Sequence, residues 1–461
     1  MKKDIVLKKI PSPLRDHAAP VMLSDETMRE RLEKVLGRMK KQGIDQLIVY
    51  DDVEHCGNFM YLTGFFTRFE EALLVLNADG SAVLILGNEN LNKCAKSRLK
   101  AEAVHVSLFS LPNQPHRADC SLRELLVQAG VQPGTRIGLA GWKLFTSPKE
   151  NNASAFDLPA YIVDALRDIA GENGELVSAA DVFIGPDGAR LINNANEIAH
   201  YEYGAALASD CMLDAMDLLG EGVSELELGS ALVREGQHTS VVTIAASGPR
   251  FVKANMFPTA NRVKKGDPIS LTVGYAGGLS SRTGYAVENA QQLPEGAQDY
   301  LDAVAIPYFR AYAAWLENIR IGMRGGELYR LIDEVLPRSE YHWGLCPGHL
   351  VAEEEWLCSP LYEGSDEQLR SGMILQIDII PSVPGYAGVG AESTVVLADE
   401  KLRAALKQDH PEMYGRMRSR RAYIKEALGI DLPEEVLPMC STVGYLRPFL
   451  LDHASALCCE G

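Results

Sequence analysis

The sequence predicts two domains, an α/β domain followed by an α+β domain. Three observations carry that expectation. The 461 residues exceed what one ordinary core holds together. Strand-like and helix-like runs alternate over roughly the first 185 residues, the pattern of a mixed sheet with helices between strands. Beyond them a single long helical stretch precedes a series of strand-like runs, the order of an α+β unit.

The elements follow in order. Glu30 to Lys41 carries Leu32, Val35, Leu36 and Met39 at helical spacing and stops at Gly43. Gln46–Tyr50 reads as a buried strand. Ala72–Leu76 and Ala82–Leu86 form a hairpin around Asn77-Ala-Asp-Gly80, where glycine tolerates the positive φ of the turn. Arg136–Ala140 is a further strand and Ala160–Ile169 a helix. Gly185-Pro-Asp-Gly188 is turn-rich and marks the expected boundary, giving domains 1–185 and 186–461. The longest helical pattern runs from Asn196 to Leu219. A second helix opens at Ser224, with Glu227 at the capping-box spacing. Val241–Ala245, Ile269–Val273, Ile374–Ile380 and Thr394–Leu397 then read as strands. The tail 398–461 holds Val436, Leu437, Phe449, Leu450 and Leu451, and is expected to pack onto the second domain.

Composition narrows the function classes. Hydrophobic residues make up 46% and charged residues 23%, a globular mix. No apolar run approaches the roughly 18–20 residues that cross a bilayer, so no membrane partner is expected. The N-terminal stretch lacks the apolar core of a secretory signal, and the nine cysteines are scattered without CxxC pairs. Both features set the expectation of a cytoplasmic protein with free thiols. Cys458-Cys459-Glu460-Gly461 is a poor prenylation box. The net charge of −17 opposes nucleic acid as a partner. Arg416–Arg421 (RMRSRR) reads as a solvated helix face, and so does Glu353-Glu354-Glu355. There is no HExxH, P-loop, complete GxGxxG or GxSxG.

A set of short landmarks recurs in order between Asn194 and Leu397. They are Ala195-Asn-Glu-Ile198, Ala246-Ser-Gly-Pro249, Lys265-Gly-Asp-Pro268, Ser281-Arg-Thr283, Pro347-Gly-His349, Ser371-Gly-Met373 and Gly390-Ala-Glu392. Together they resemble the pita-bread family of methionine aminopeptidase, Xaa-Pro aminopeptidase, prolidase and creatinase. The resemblance implies an α/β N-terminal domain before an α+β pita-bread C-terminal domain. Family peptidases hold two metal ions with two Asp, one His and two Glu. Matched residue by residue, the two Asp positions fall on Thr272 and Leu279, the His on His349, the first Glu on Asp378 and the last on Glu392. A second family His falls on Trp356. A bridged pair of divalent ions needs several anionic oxygens, which a hydroxyl and a hydrocarbon do not supply. The expectation is therefore no metal cofactor, with His349, Asp378 and Glu392 leaving donors for at most one weakly held ion.

Creatinase, the metal-free relative, is the nearer model. Phe66-Thr-Arg68 resembles its carboxylate-binding segment, whose Arg reaches the neighbouring subunit and so implies a homodimer; the alternative is an ion pair of Arg68 with Glu70 or Glu71. The creatinase catalytic His falls on Asn255, its catalytic Glu on Ser281 and a later Arg on Pro360, so creatine itself is not transferred. The chemistry left points to His349 as general acid or base. Asp378 and Glu392 are paired carboxylates facing one cavity, able to donate a proton or hold a cation. Arg68, Asn255 and Arg282 are the substrate-binding candidates. The expected function is a metal-independent hydrolase of a C–N bond in a small-molecule or short-peptide substrate. Two alternatives stay open: a non-catalytic binding protein on the same scaffold, with His349 a structural histidine, and a metallo-aminopeptidase or Xaa-Pro dipeptidase.

Overall fold

The computed structural model describes residues 3–113, 120–253 and 257–460, in two compact units. One holds residues 23–191. The other joins residues 1–22 to residues 192–461. The expected division at 185 thus differs at the N-terminus. The reason is β1 (Asp4–Lys9), which pairs antiparallel with the last strand of the chain, from Asp4 against Glu460 to Lys9 against Ser455.

In the 23–191 unit the elements are α1 (Asp25–Gln42), β2 (Gln46–Asp51), α2 (Gly57–Thr63), β3 (Ala72–Asn77), β4 (Ala82–Leu86), β5 (Glu102–His105), α3 (Leu122–Gln128), β6 (Arg136–Ala140), α4 (Ala160–Ala170) and β7 (Glu175–Ser178). Ser24 caps α1, and Gly43 ends it in the left-handed conformation. The strands form one mixed sheet in the order β5-β4-β3-β2-β6-β7. β2, β3 and β4 pair antiparallel, while β6 runs parallel to both β2 and β7. Ile48, Val75, Ile85 and Ile137 on the sheet, with Leu126 and Leu166 on the helices, form its core.

The other unit continues with α5 (Ala195–Leu218), α6 (Glu225–Leu232), β8 (Ile244–Ser247), β9 (Pro268–Tyr275), β10 (Gly278–Tyr285), α7 (Ile306–Asn318), α8 (Gly325–Val335), α9 (Arg338–Tyr341), β11 (Gly348–Leu350), β12 (Ile374–Ile377), β13 (Gly390–Leu397), α10 (Glu400–Asp409), α11 (Pro411–Glu426), β14 (Val436–Pro438) and β15 (Ser455–Glu460). Its main sheet runs β11-β12-β13-β10-β9-β8, all antiparallel, with β14 added on β13. Capping boxes at Asn194 and Ser224 start α5 and α6. α5 lies across β9 and β10, and Leu207, Cys211, Ile269, Leu271 and Val273 interlock there. The approach is close enough that glycine is required at the turn. Gly277 has φ +100°, and a Cβ on it would sit 2.1 Å from the Tyr201 carbonyl oxygen. The tail packs onto this unit as expected, through α10, α11, β14 and β15. No helix among the described residues is long and apolar enough to cross a membrane.

Three expectations change. The strand expected at 241–245 begins only at Ile244, because pairing starts at Ile244 against Thr272. The one expected to run to Ile380 leaves the ladder after Ile377, which frees Asp378 and Ile380 from the sheet. The basic run on α11 is not a solvated face. Arg420 is buried, donating to Asp16, Glu202 and the Pro438 carbonyl, and Arg416 pairs with the same Glu202. Helical spacing alone does not reveal that buried acids wait on α5 and in the N-terminal segment.

Candidate functional site

Antiparallel register builds the site. On β10, Leu279, Ser281 and Thr283 face one side of the sheet, and Ser280 and Arg282 face the other. Ser281 stands opposite Thr272 on β9 and opposite Glu392 on β13, so three side chains form a row across three strands. The Thr272 hydroxyl donates to Ser281 Oγ at 3.0 Å. Asp378, just past the end of β12, joins the row. Glu355 and Trp356 come from the loop after β11. These groups line a cleft of about 440 Å³ whose rim includes Val242, Leu345 and Ile380.

His349 lies behind this wall. It is fully buried on β11, stacked on the Trp356 indole with ring centres 4.3 Å apart. Its Nδ1 donates to the Leu350 carbonyl at 3.1 Å, since that oxygen can only accept. Its Nε2 is 2.9 Å from Glu355 and 3.8 Å from Asp378, but neither contact is aligned as a hydrogen bond. Burial pulls the His349 pKa down, and the Glu355 and Asp378 charges more than offset it, for a net rise. Burial pushes Asp378 up to about 6, with His349 opposing and Glu355 assisting. Glu392 is pushed well above the usual carboxylate range, first by burial and then by the charges of Asp378 and Glu355. At neutral pH Asp378 is therefore largely ionised, while the shifts of His349 and Glu392 both favour their proton-bearing forms. One Asp378 oxygen, Oδ1, is buried without a hydrogen-bond partner.

Among the expected residues, Asp378 and Glu392 share the cleft, and His349 touches Asp378 from behind. Thr272 and Leu279 also line the cleft, where the resemblance placed them. Arg282 does not bind there. Its side chain is buried on the far side of the sheet, donating to the carbonyls of Tyr445, Ser281, Glu392 and Thr442 and to the Ser393 hydroxyl. Strand alternation is the reason: the neighbour of a cleft-facing Ser281 must face away. Arg68 is an exposed residue of the 23–191 unit. Its suggested ion-pair partners are engaged elsewhere, Glu70 with Asn90 and Glu71 with Tyr50 and Tyr161. Asn255 lies outside the described residues. Sequence reasoning missed Glu355, assigned with its two acidic neighbours to a solvated face. Its position one residue before Trp356, itself placed by the resemblance at a family ligand position, was the available signal.

Two family models match the chain in order. Residues 31–150 match the creatinase/prolidase N-terminal domain, and residues 199–399 match metallopeptidase family M24. Together they cover more than half of the chain and contain every residue of the cleft row. The chain belongs to the pita-bread family. Its likeness to solved family structures is one of fold. An Xaa-Pro dipeptidase from Bacillus anthracis matches with a TM-score of 0.60 and 19% identity, over 81% of this chain and 96% of that one. A prolidase from Thermococcus sibiricus matches at 0.63 and 18%, over 81% and 95%. An Xaa-Pro dipeptidase from Lactobacillus helveticus is 21% identical over 229 residues, 48% of this chain. The chain spans only 61% of that relative's length.

The pita-bread fold implies a pair of metal ions, and the donor set in this cleft does not match one. Thr272 offers a neutral hydroxyl already engaged with Ser281, and Leu279 offers no donor. Among the described residues no three His, Cys, Asp or Glu side chains are grouped so as to hold an ion.

Proposed function

We propose that this pita-bread chain is a hydrolase that cleaves an amide-type C–N bond of a small or short-peptide substrate, using side chains rather than a metal pair. The observation that carries the reading is the meeting of Asp378, Glu392 and Glu355 at the cleft floor, with His349 behind them. Peptide-like substrates agree with the relatives, whose names favour a peptidase over an enzyme acting on a guanidino acid.

In the proposed division of labour, ionised Asp378 takes a proton from a water as the water oxygen attacks the carbonyl carbon. Proton-bearing Glu392 delivers its proton to the leaving nitrogen as the C–N bond breaks. His349 does not line the cleft, so it acts as a positioning residue: its charge, held beside Glu355, keeps Asp378 ionised. A two-metal Xaa-Pro dipeptidase is the second reading. The relatives' names favour it, and Thr272 and Leu279 oppose it.

The test assays Xaa-Pro dipeptides and small amides with chelator, and with added manganese, cobalt or zinc, alongside elemental analysis of the protein. Hydrolysis that persists in chelator and is lost in Asp378→Asn supports the proposal. Hydrolysis only with a retained pair of ions per chain supports the metallopeptidase. Binding without hydrolysis under every condition supports a non-catalytic protein.

A further inference from the structure

We propose that the cleft selects a ligand with one positive charge, an apolar body and no carboxylate, such as an amine or amidine derivative, in preference to a zwitterionic dipeptide. This deepens the hydrolase reading and rests on the same cleft being the substrate site. The floor supplies three carboxyl groups, Glu355, Asp378 and Glu392, and the described residues that line the cleft include no lysine or arginine. The nearest arginine along the strands, Arg282, has its donors spent on main-chain carbonyls and a serine behind the sheet. A ligand carboxylate entering here loses its water and meets like charge, with no lysine or arginine in the described lining to replace that water.

The second observation is the buried Asp378. It is 8% exposed, and its Oδ1 has no hydrogen-bond partner. Buried carboxylate oxygens are rarely left unmatched, and an ammonium or amidinium N–H supplies what this one lacks. The rim accounts for the apolar body. Leu345 is 73% exposed, Ile380 56%, Val242 40% and Trp356 39%, and all four border the same cleft. Exposed apolar side chains gathered around polar groups mark a binding site, and tryptophan is the aromatic side chain best suited to a cation.

Calorimetry on the full chain in chelating buffer distinguishes the cases with four probes: leucinamide, leucine, N-acetyl-leucinamide and Leu-Pro. Leucinamide is expected to bind at least about tenfold tighter than each of the others, and Asp378→Asn to weaken it by about tenfold. Ile380→Ser, at an exposed position that leaves folding intact, is expected to weaken leucinamide several-fold. Leucine or Leu-Pro binding as tightly as leucinamide overturns the proposal, as does unchanged affinity in both variants. Leucinamide bound but never hydrolysed sinks the hydrolase reading and leaves this one standing. Efficient hydrolysis of Leu-Pro with affinity equal to that of leucinamide does the reverse.

Discussion

Two buried charge clusters in the same unit are built on opposite terms. Around Arg420, every partner is matched: Nε meets Asp16 at 2.8 Å and Nη2 meets Glu202 at 2.6 Å, Nη1 meets a carbonyl, and Asp16 also accepts from Ser441. At the cleft, Asp378 keeps an unpartnered oxygen, and burial together with acidic neighbours favours the proton-bearing form of Glu392. A satisfied buried cluster holds structure together, whereas an unsatisfied one costs stability and is retained where chemistry needs it. The first fastens the N-terminal segment and α11 to α5. The second is where a ligand would complete the set.

The largest expected effect breaks the satisfied cluster. Arg420→Ala leaves Asp16 and Glu202 buried without their main cation and should cost about 3–5 kcal/mol in chemical denaturation. A loss under 1 kcal/mol would remove the contrast. His349→Gln should leave the fold near wild-type stability but slow turnover by about 10²-fold or more. It should also shift the acidic limb of the pH–rate profile upward, since the imidazolium no longer holds Asp378 down; an unshifted limb would make His349 merely structural.

Glu392→Gln sharpens the comparison in the other direction. Because the Glu392 pKa is raised, the native state keeps a proton that the unfolded chain releases, so wild-type stability falls as pH rises above the ordinary glutamate value. The glutamine variant should match wild type near pH 4 and be more stable by about 1 kcal/mol at pH 8 while losing activity. Melting curves across that range check it, and a variant less stable than wild type at pH 8 contradicts the sign. The smallest effect is at exposed Arg68. Arg68→Ala should leave the melting temperature unchanged. If the chain forms the homodimer that the resemblance of Phe66-Thr-Arg68 to creatinase implies, and shares its site across it, mixing Arg68→Ala with His349→Gln subunits restores activity, and absence of restoration separates Arg68 from the site.

Much of the second unit was legible because its signals are local. The helical spacing from Asn196 and the capping box at Ser224 depend on neighbours a few residues away, and they placed α5 and α6 correctly, whereas β10 was known only through the landmark Ser281-Arg-Thr283. The ordered landmarks brought Asp378 and Glu392 to one cleft and Thr272 and Leu279 beside them. Arg282 was misread because a motif names residues without saying which face of the strand each one takes. Glu355 was missed because three consecutive glutamates look alike until a loop turns one of them toward a histidine.

The sequence by itself determined the two-domain plan, the family, and the residue types at Thr272 and Leu279, neither of which supplies an anionic oxygen. Those are properties of residue type and order. Only the tertiary structure decided that His349 sits behind the cleft rather than in its wall, that Glu355 lines the cleft, and that Arg420 and Arg421 of α11 are buried. Charge has no local code for burial: whether a carboxylate keeps its proton or an arginine loses its water is set by residues that distant parts of the chain bring within a few ångströms.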